Sequence, residues 1–214
     1  MSFSLNRFRS VPVMGIARGL SRQQLENLLP PYIASGLNTI EITLDTPDAV
    51  ALISSLKASA GDALQIGAGT VRTLTDLDKA LKAGAVFIVT PVLNLEVVRA
   101  CVQQSVPVFP GAFTPTEIYD AHAAGATMVK VFPASLLGPE YIRQIKAPLR
   151  DVPLMPTGGV DLSALKEYRK AGADAYGIGT PLFTKELLAK ADHNFWLDHF
   201  RSFVAEFIGD ENKL

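Results

Sequence analysis

The chain has 214 residues, 48% of them hydrophobic and 19% charged, with a formal net charge of −1. This describes a globular protein with a large core, and the near-zero charge gives no reason to expect nucleic acid or an anionic membrane surface as partner. A single cysteine, Cys101, excludes an internal disulfide framework and suits a reducing compartment. No apolar stretch approaches the roughly 18 residues of a membrane span, and residues 1–10 lack the apolar region and small-residue cleavage site of a secretory signal. A cytoplasmic protein is therefore expected.

Short apolar runs alternate with amphipathic patterns along the chain. Residues 1–10 form an extension, read as a short extra helix or a cap, and strands are expected near 11–17, 38–44, 65–70, 85–90, 106–112, 127–133, 152–158 and 173–179. Helices are expected near 21–35, 47–60, 74–83, 94–105, 114–124, 139–147 and 161–171, with an eighth from about 184 to 208, and residues 209–214 are expected to fray as a tail. Gly36, Gly84, Gly125 and Gly172 stand where helices end, and Ser21, Thr46, Thr73, Thr114 and Asp161 where helices begin. Strands alternating with helices imply a parallel sheet. Eight such units in a little over 200 residues fit a single-domain α/β protein, a minimal closed (β/α)8 (TIM) barrel spanning 1–214. A doubly wound open sheet is the main competitor, but no glycine-rich dinucleotide fingerprint follows the first strand.

Chemistry in such barrels sits at the C-terminal ends of the strands, so polar residues there are the candidates. In Thr127–Pro133, TMVKVFP, Lys130 is the only lysine inside an expected strand. Burial pushes an amine towards its neutral, nucleophilic form, as Schiff-base formation with a carbonyl requires; the alternative is a lysine snorkelling to solvent or paired with a buried carboxylate. Glu41, in NTIEITL, is the only glutamate inside an expected strand. It alternates with Thr39 and Thr43 on the interior face, where a carboxyl acts as a general acid/base or closes a salt bridge.

Glycine-rich turns follow strands seven and eight, at Pro156–Val160 and Gly177–Thr180. There the backbone N–H groups of Gly158, Gly159, Gly179 and Thr180 are candidates to hold a phosphate. In the third strand Gly67 and Gly69 admit a substrate close to the backbone, and Thr70 and Thr157 offer hydroxyls. Arg18 and Arg72 are the basic candidates for a substrate carboxylate or phosphate, and Asp45 ends strand two; solvated loop charges are the competing reading for all three. His122, His193 and His199 fall on helices away from the strand ends, so no metal site is expected.

With these residues in place the chain resembles, over about residues 8–190, the class I 2-keto-3-deoxy-6-phosphogluconate (KDPG) aldolase family, with its 6-phosphogalactonate (KDPGal) and 4-hydroxy-2-oxoglutarate (KHG) relatives. The resemblance is carried by IEITL, IGAGTV, IVTP, FPGAFTPTE, VKVFPAS, PTGGV and GIGTPLF, in that order. It implies a carbon–carbon lyase in which Lys130 forms a Schiff base with C2 of a 2-keto acid and Glu41 moves protons. Pyruvate and glyceraldehyde 3-phosphate are the implied products. It further implies that Thr70 and Thr157 contact the pyruvyl region and that Gly158, Gly159, Gly179 and Thr180 hold the phosphate. No metal or organic cofactor is expected, and the implied assembly is a homotrimer acting on small-molecule substrates.

The sequence departs from the gluconate branch at Asp45, where that branch commonly carries an arginine. The Ala17-Arg18-Gly19 turn and the segment 133–142 look like the galactonate branch, and Arg18 is expected to supply the missing positive charge to the carboxylate. The competing readings are an unphosphorylated 4-hydroxy-2-oxoglutarate aldolase and a non-catalytic sugar-phosphate-binding barrel.

Overall fold

The computed structural model describes residues 2–190 and 192–208; the expected tail at 209–214 lies outside them. Among the described residues nine strands are found: β1 (Val13–Ala17), β2 (Thr39–Thr43), β3 (Gln65–Gly69), β4 (Ile88–Val89), β5 (Val108–Phe109), β6 (Gly111–Ala112), β7 (Val129–Val131), β8 (Leu154–Pro156) and β9 (Tyr176–Ile178). A helix follows each strand end except β5, where one residue, Pro110, separates it from β6. All pairings are parallel. They form a six-stranded sheet, β5-β4-β3-β2-β1-β9, and a three-stranded sheet, β6-β7-β8.

The strand expected at 106–112 is thus divided, because Pro110 has no N–H to give to a ladder. Its carbonyl still accepts from Lys130 N at 2.9 Å. Between β8 and β9 an isolated parallel bridge joins Thr157 to Gly177, and Asp174 N donates to Leu154 O at 2.9 Å.

Two further expectations are corrected. Thr46 does not cap the helix Ala49–Ala60; Asp48 occupies the cap position, at φ 57°, without a side-chain cap bond. The Thr46 hydroxyl is taken up elsewhere, accepting from Gly19 N at 2.9 Å and lying 3.1 Å from Thr43 Oγ1. The helix expected from 184 to 208 is two, Lys185–Ala189 and His193–Ile208. Lys190 turns extended, and Asp192 Oδ1 caps the second helix by accepting from Asn194 N and Phe195 N.

The main core lies between strands and helices, and apolar residues from Val11 to Val204 pack in one cluster. A second cluster of Phe8, Met14, Phe87, Val89, Phe109, Met128, Met155 and Ala175 has Phe3 and Leu5 packed against it. The N-terminal helix Leu5–Ser10 therefore caps this cluster with Phe8, which is fully buried. Edge-on contacts of Phe3 and Phe8 with Phe109, and of Phe3 with Phe87, hold it there. With one end of the strands closed by aromatic rings, the polar interior residues and the cleft belong to the other.

Candidate active site

At the C-terminal ends of the strands lies a cleft of about 680 Å³. Arg18, Thr70, Lys130, Thr157, Gly158, Gly159, Gly179 and Thr180 all line it, so residues spread over 160 positions of sequence converge on one cavity. Arg72 does not line it; its side chain is exposed, and its backbone N–H is taken by Asp76 Oδ2.

Lys130 sits at the centre of β7 with a backbone register of Gly111 on one side and Met155 on the other. It is 6% exposed, and its Nζ lies 5.3 Å from the centroid of the Phe132 ring. Burial lowers the proton affinity of the amine below the ordinary lysine range; the charge of Glu41 opposes that shift and Arg18 adds to it.

Glu41 is buried in β2, opposite Ile16 and Gly67. Burial raises its carboxyl above the usual range, Lys130 and Arg18 pull it back, and Asp45 pushes it further up. Its Oε2 is buried without a hydrogen-bond partner among the described residues, an acceptor open to a water or a substrate group. Both shifts favour the uncharged pair, a free amine and a protonated acid. Addition of the amine to a ketone followed by acid-assisted loss of water needs that state.

The glycines of β3 have a different use from the one expected. A Cβ on Gly67 would enter the Phe87 ring, and one on Gly69 would lie 2.7 Å from Glu41 Oε1. Gly67 makes room for the core and Gly69 for the carboxyl group.

The loop after β8 is built for close approach. Gly158 and Gly159 adopt φ of 89° and 73°, the left-handed region that glycine enters without strain. Ala134 N and Ser135 N donate to Thr157 O and Gly158 O at 2.8 and 2.9 Å, tying this loop to the turn after β7. Thr157 is buried, with its hydroxyl donating to Met155 O at 3.2 Å. Across the mouth, Arg18 Nη2 donates to Thr70 Oγ1 at 3.2 Å, and Nη1 lies 3.4 Å from Asp45 Oδ2.

The cleft also includes Ile16, Leu20, Gln24, Pro91, Phe132 and Phe183, which sequence reasoning did not single out as site residues. Phe132 was within reach, since it stands two residues beyond Lys130 and residues so spaced share a strand face. Of the others Ile16 lies on β1, and the rest come from loops and a helix whose placement is tertiary. Among the described residues no group of three or more His, Cys, Asp or Glu side chains is arranged to hold a metal ion, and no helix is long and apolar enough to cross a membrane.

Comparison with known proteins agrees with this geometry. Residues 4–196 match the family described as "Aldolase: KDPG and KHG aldolase". A probable 2-dehydro-3-deoxy-6-phosphogalactonate aldolase of Rhizobium meliloti is 35% identical over 173 residues, 80% of this chain and 82% of the relative. A solved structure described as native KDPGal superposes with a TM-score of 0.86 at 30% identity, covering 97% of each chain. A Legionella pneumophila KDPG aldolase, with pyruvate captured at low pH as a covalent carbinolamine, gives a TM-score of 0.81 at 25% identity over 93% of this chain and 95% of that one. With a family match over nearly the whole length and a cleft centred on one buried lysine, the chain belongs to the KDPG and KHG aldolase family.

Proposed function

We propose that this protein is a class I aldolase that cleaves a 2-keto-3-deoxy-6-phospho sugar acid, of the 6-phosphogluconate or 6-phosphogalactonate type, to pyruvate and glyceraldehyde 3-phosphate. The observation that carries the reading is the buried amine of Lys130 at the wall of a cleft, with the buried carboxyl of Glu41 coupled to it and glycine loops lining the same cavity.

In this reading the free amine of Lys130 adds to the C2 carbonyl, and the carbonyl oxygen becomes the hydroxyl of a carbinolamine. Glu41 protonates that hydroxyl, water leaves, and a protonated imine remains. A base, Glu41 acting through a water, removes the proton of the C4 hydroxyl. The C3–C4 pair flows into the imine, which yields the aldehyde and an enamine. The enamine takes a proton at C3, and water releases pyruvate and restores the amine. Thr70, Thr157 and Arg18 hold the carboxylate end; Gly158, Gly159, Gly179 and Thr180 hold the phosphate through backbone N–H groups and a hydroxyl.

The same reading treats the two sheets as one closed (β/α)8 barrel in a single domain spanning 1–214, with 1–10 as the extension. Its supports are the continuity of β5 and β6 through Pro110, the Thr157 to Gly177 bridge, and the apolar cluster that spans most of the chain. A cytoplasmic homotrimer is the proposed setting. Exposed Val92, Phe113, Phe132 and Leu136 on the rim around the cleft are apolar surface that an assembly would cover, and sedimentation equilibrium tests it.

The test of function is a coupled pyruvate-release assay with both C4 epimers, each with and without the 6-phosphate. Cleavage that depends on the phosphate supports the proposal. Equal rates on 4-hydroxy-2-oxoglutarate would favour the shorter substrate, and binding of sugar phosphates without turnover would make the chain a binding protein.

A further inference from the structure

The carboxylate of Asp45 stands at the end of β2, next to the mouth of the cleft but not in its wall. Its neighbour is Arg18, whose guanidinium does line the cleft. The arginine is held at two points that belong to different strand ends: Nη1 faces Asp45 Oδ2 at 3.4 Å, and Nη2 donates to Thr70 Oγ1 at 3.2 Å. Both anchors are themselves fixed. Leu44 N donates to Gly69 O at 2.9 Å, binding the end of β2 to that of β3, and Gly19 N donates to Thr46 Oγ1 at 2.9 Å, binding the Arg18 turn to the segment that carries Asp45. Thr70 sits at φ 58°, a left-handed conformation unfavourable for a β-branched residue. The surrounding structure holds its hydroxyl at the guanidinium in spite of that.

A guanidinium has five N–H donors in a rigid plane, and the two contacts use only part of them. An unpaired arginine on this exposed rim, with 58% of its side chain accessible, would spread over many rotamers. Fixing it beforehand removes the ordering cost from the binding step.

We propose that Asp45 is a positioning residue: with Thr70 it clamps the Arg18 guanidinium across the ends of β1, β2 and β3, so that the free N–H edge is ready for the carboxylate of the 2-keto acid. This deepens the reading of Arg18 given above and rests on it. Asp45 touches no substrate atom in this account; its effect on carboxylate binding passes through the arginine, while its charge also adds to the raising of the Glu41 carboxyl. The negative charge also offsets that of Arg18 at the mouth, so the clamp supplies donors without a net attraction for every anion.

The test is a double-mutant cycle on the full chain, Asp45→Asn, Arg18→Ala and both together. KM and kcat for the phosphorylated keto acid, and the pyruvate concentration needed for half-maximal borohydride inactivation, are the readouts. Asp45→Asn should raise KM and the half-inactivation concentration by about two- to tenfold, the range for releasing one long side chain, with kcat within about twofold of native. In the Arg18→Ala background the same change should have no further effect. An Asp45→Asn enzyme with unchanged or lower KM, in a chain where Arg18→Ala does raise it, overturns the proposal and leaves the arginine's role standing. Effects that multiply independently of Arg18 overturn it as well. If Arg18→Ala leaves every constant unchanged, the failure is in the reading of Arg18 itself.

Discussion

Gly69→Ala is a perturbation that alters neither of the two residues assigned to the chemistry. The new methyl carbon would lie 2.7 Å from Glu41 Oε1, 2.8 Å from its Cδ and 3.1 Å from Oε2, where unstrained contacts are about 3.5–4.0 Å. The backbone cannot yield readily, because Gly69 is in register with Thr43 and its carbonyl accepts from Leu44 N at 2.9 Å. The φ of Gly69 is not positive, so alanine fits the strand and the strain falls on the carboxyl. Glu41 must withdraw by close to 1 Å, a displacement of the size that costs about a hundredfold where a reacting group is misplaced. We expect kcat to fall by about ten- to a hundredfold in the pyruvate-release assay, KM to change little, and stability to drop by about 1–3 kcal/mol as in other overpacked cores, read from the urea midpoint. A Gly69→Ala enzyme with kcat within about twofold of native would refute the placement of Glu41 in the reaction.

Gly159→Ala is expected to raise KM for the phosphorylated keto acid by about tenfold or more while pyruvate still forms its adduct, because φ is 73° and the new Cβ would lie 2.5 Å from Ser135 Cβ; titration with both ligands checks this. Glu117 accepts from Phe113 N, Thr114 N and Thr114 Oγ1 at 2.9, 2.8 and 3.0 Å, and these bonds hold its carboxyl below the usual range. A lowered folded-state value gives stability that is present above pH 4.5 and lost as pH falls through the folded value, so the deficit of Glu117→Gln should shrink on acidification in urea melts. Glu41 has the opposite sign. Its raised value penalises the charged form as pH rises from 4.5, so any gain in stability of Glu41→Gln over the native chain should grow with pH. The kcat/KM profile should be bell-shaped, lost on the acid side as the pair takes up a proton and on the alkaline side as the acid is consumed, with apparent values that belong to the pair.

Much of the site was legible because burial and charge conflict in the sequence itself. A lysine in an apolar strand and a glutamate in another are expensive; Lys130 lines the cleft, and Glu41 is buried on β2 within reach of its charge. The glycine loops were legible for a similar reason, since residues with φ near 80° at Gly158 and Gly159 can hardly be anything else. The occupants of the space that glycines leave could not be read. Gly67 and Gly69 both looked like openings for substrate, yet Phe87 and Glu41 fill them, and nothing local distinguishes the cases. Thr46 looked like a cap because it precedes a proline, but a tertiary partner, Gly19 N, claimed its hydroxyl. The split of the fifth strand was signalled by Pro110, whose missing N–H acts on any ladder. The break at Lys190 was signalled only by Asp192, an N-cap residue type that exposed faces of helices also carry. Asp45 read as a missing arginine until the geometry showed its partner.

The central claim is that the amine of Lys130 captures a ketone. Borohydride reduction with pyruvate, followed by mass spectrometry of the peptide holding residue 130, tests it most directly. The account predicts one stable adduct on Lys130, absent without pyruvate and absent in Lys130→Met. Reduction that leaves Lys130 unmodified, or that places the adduct on another lysine, would contradict it.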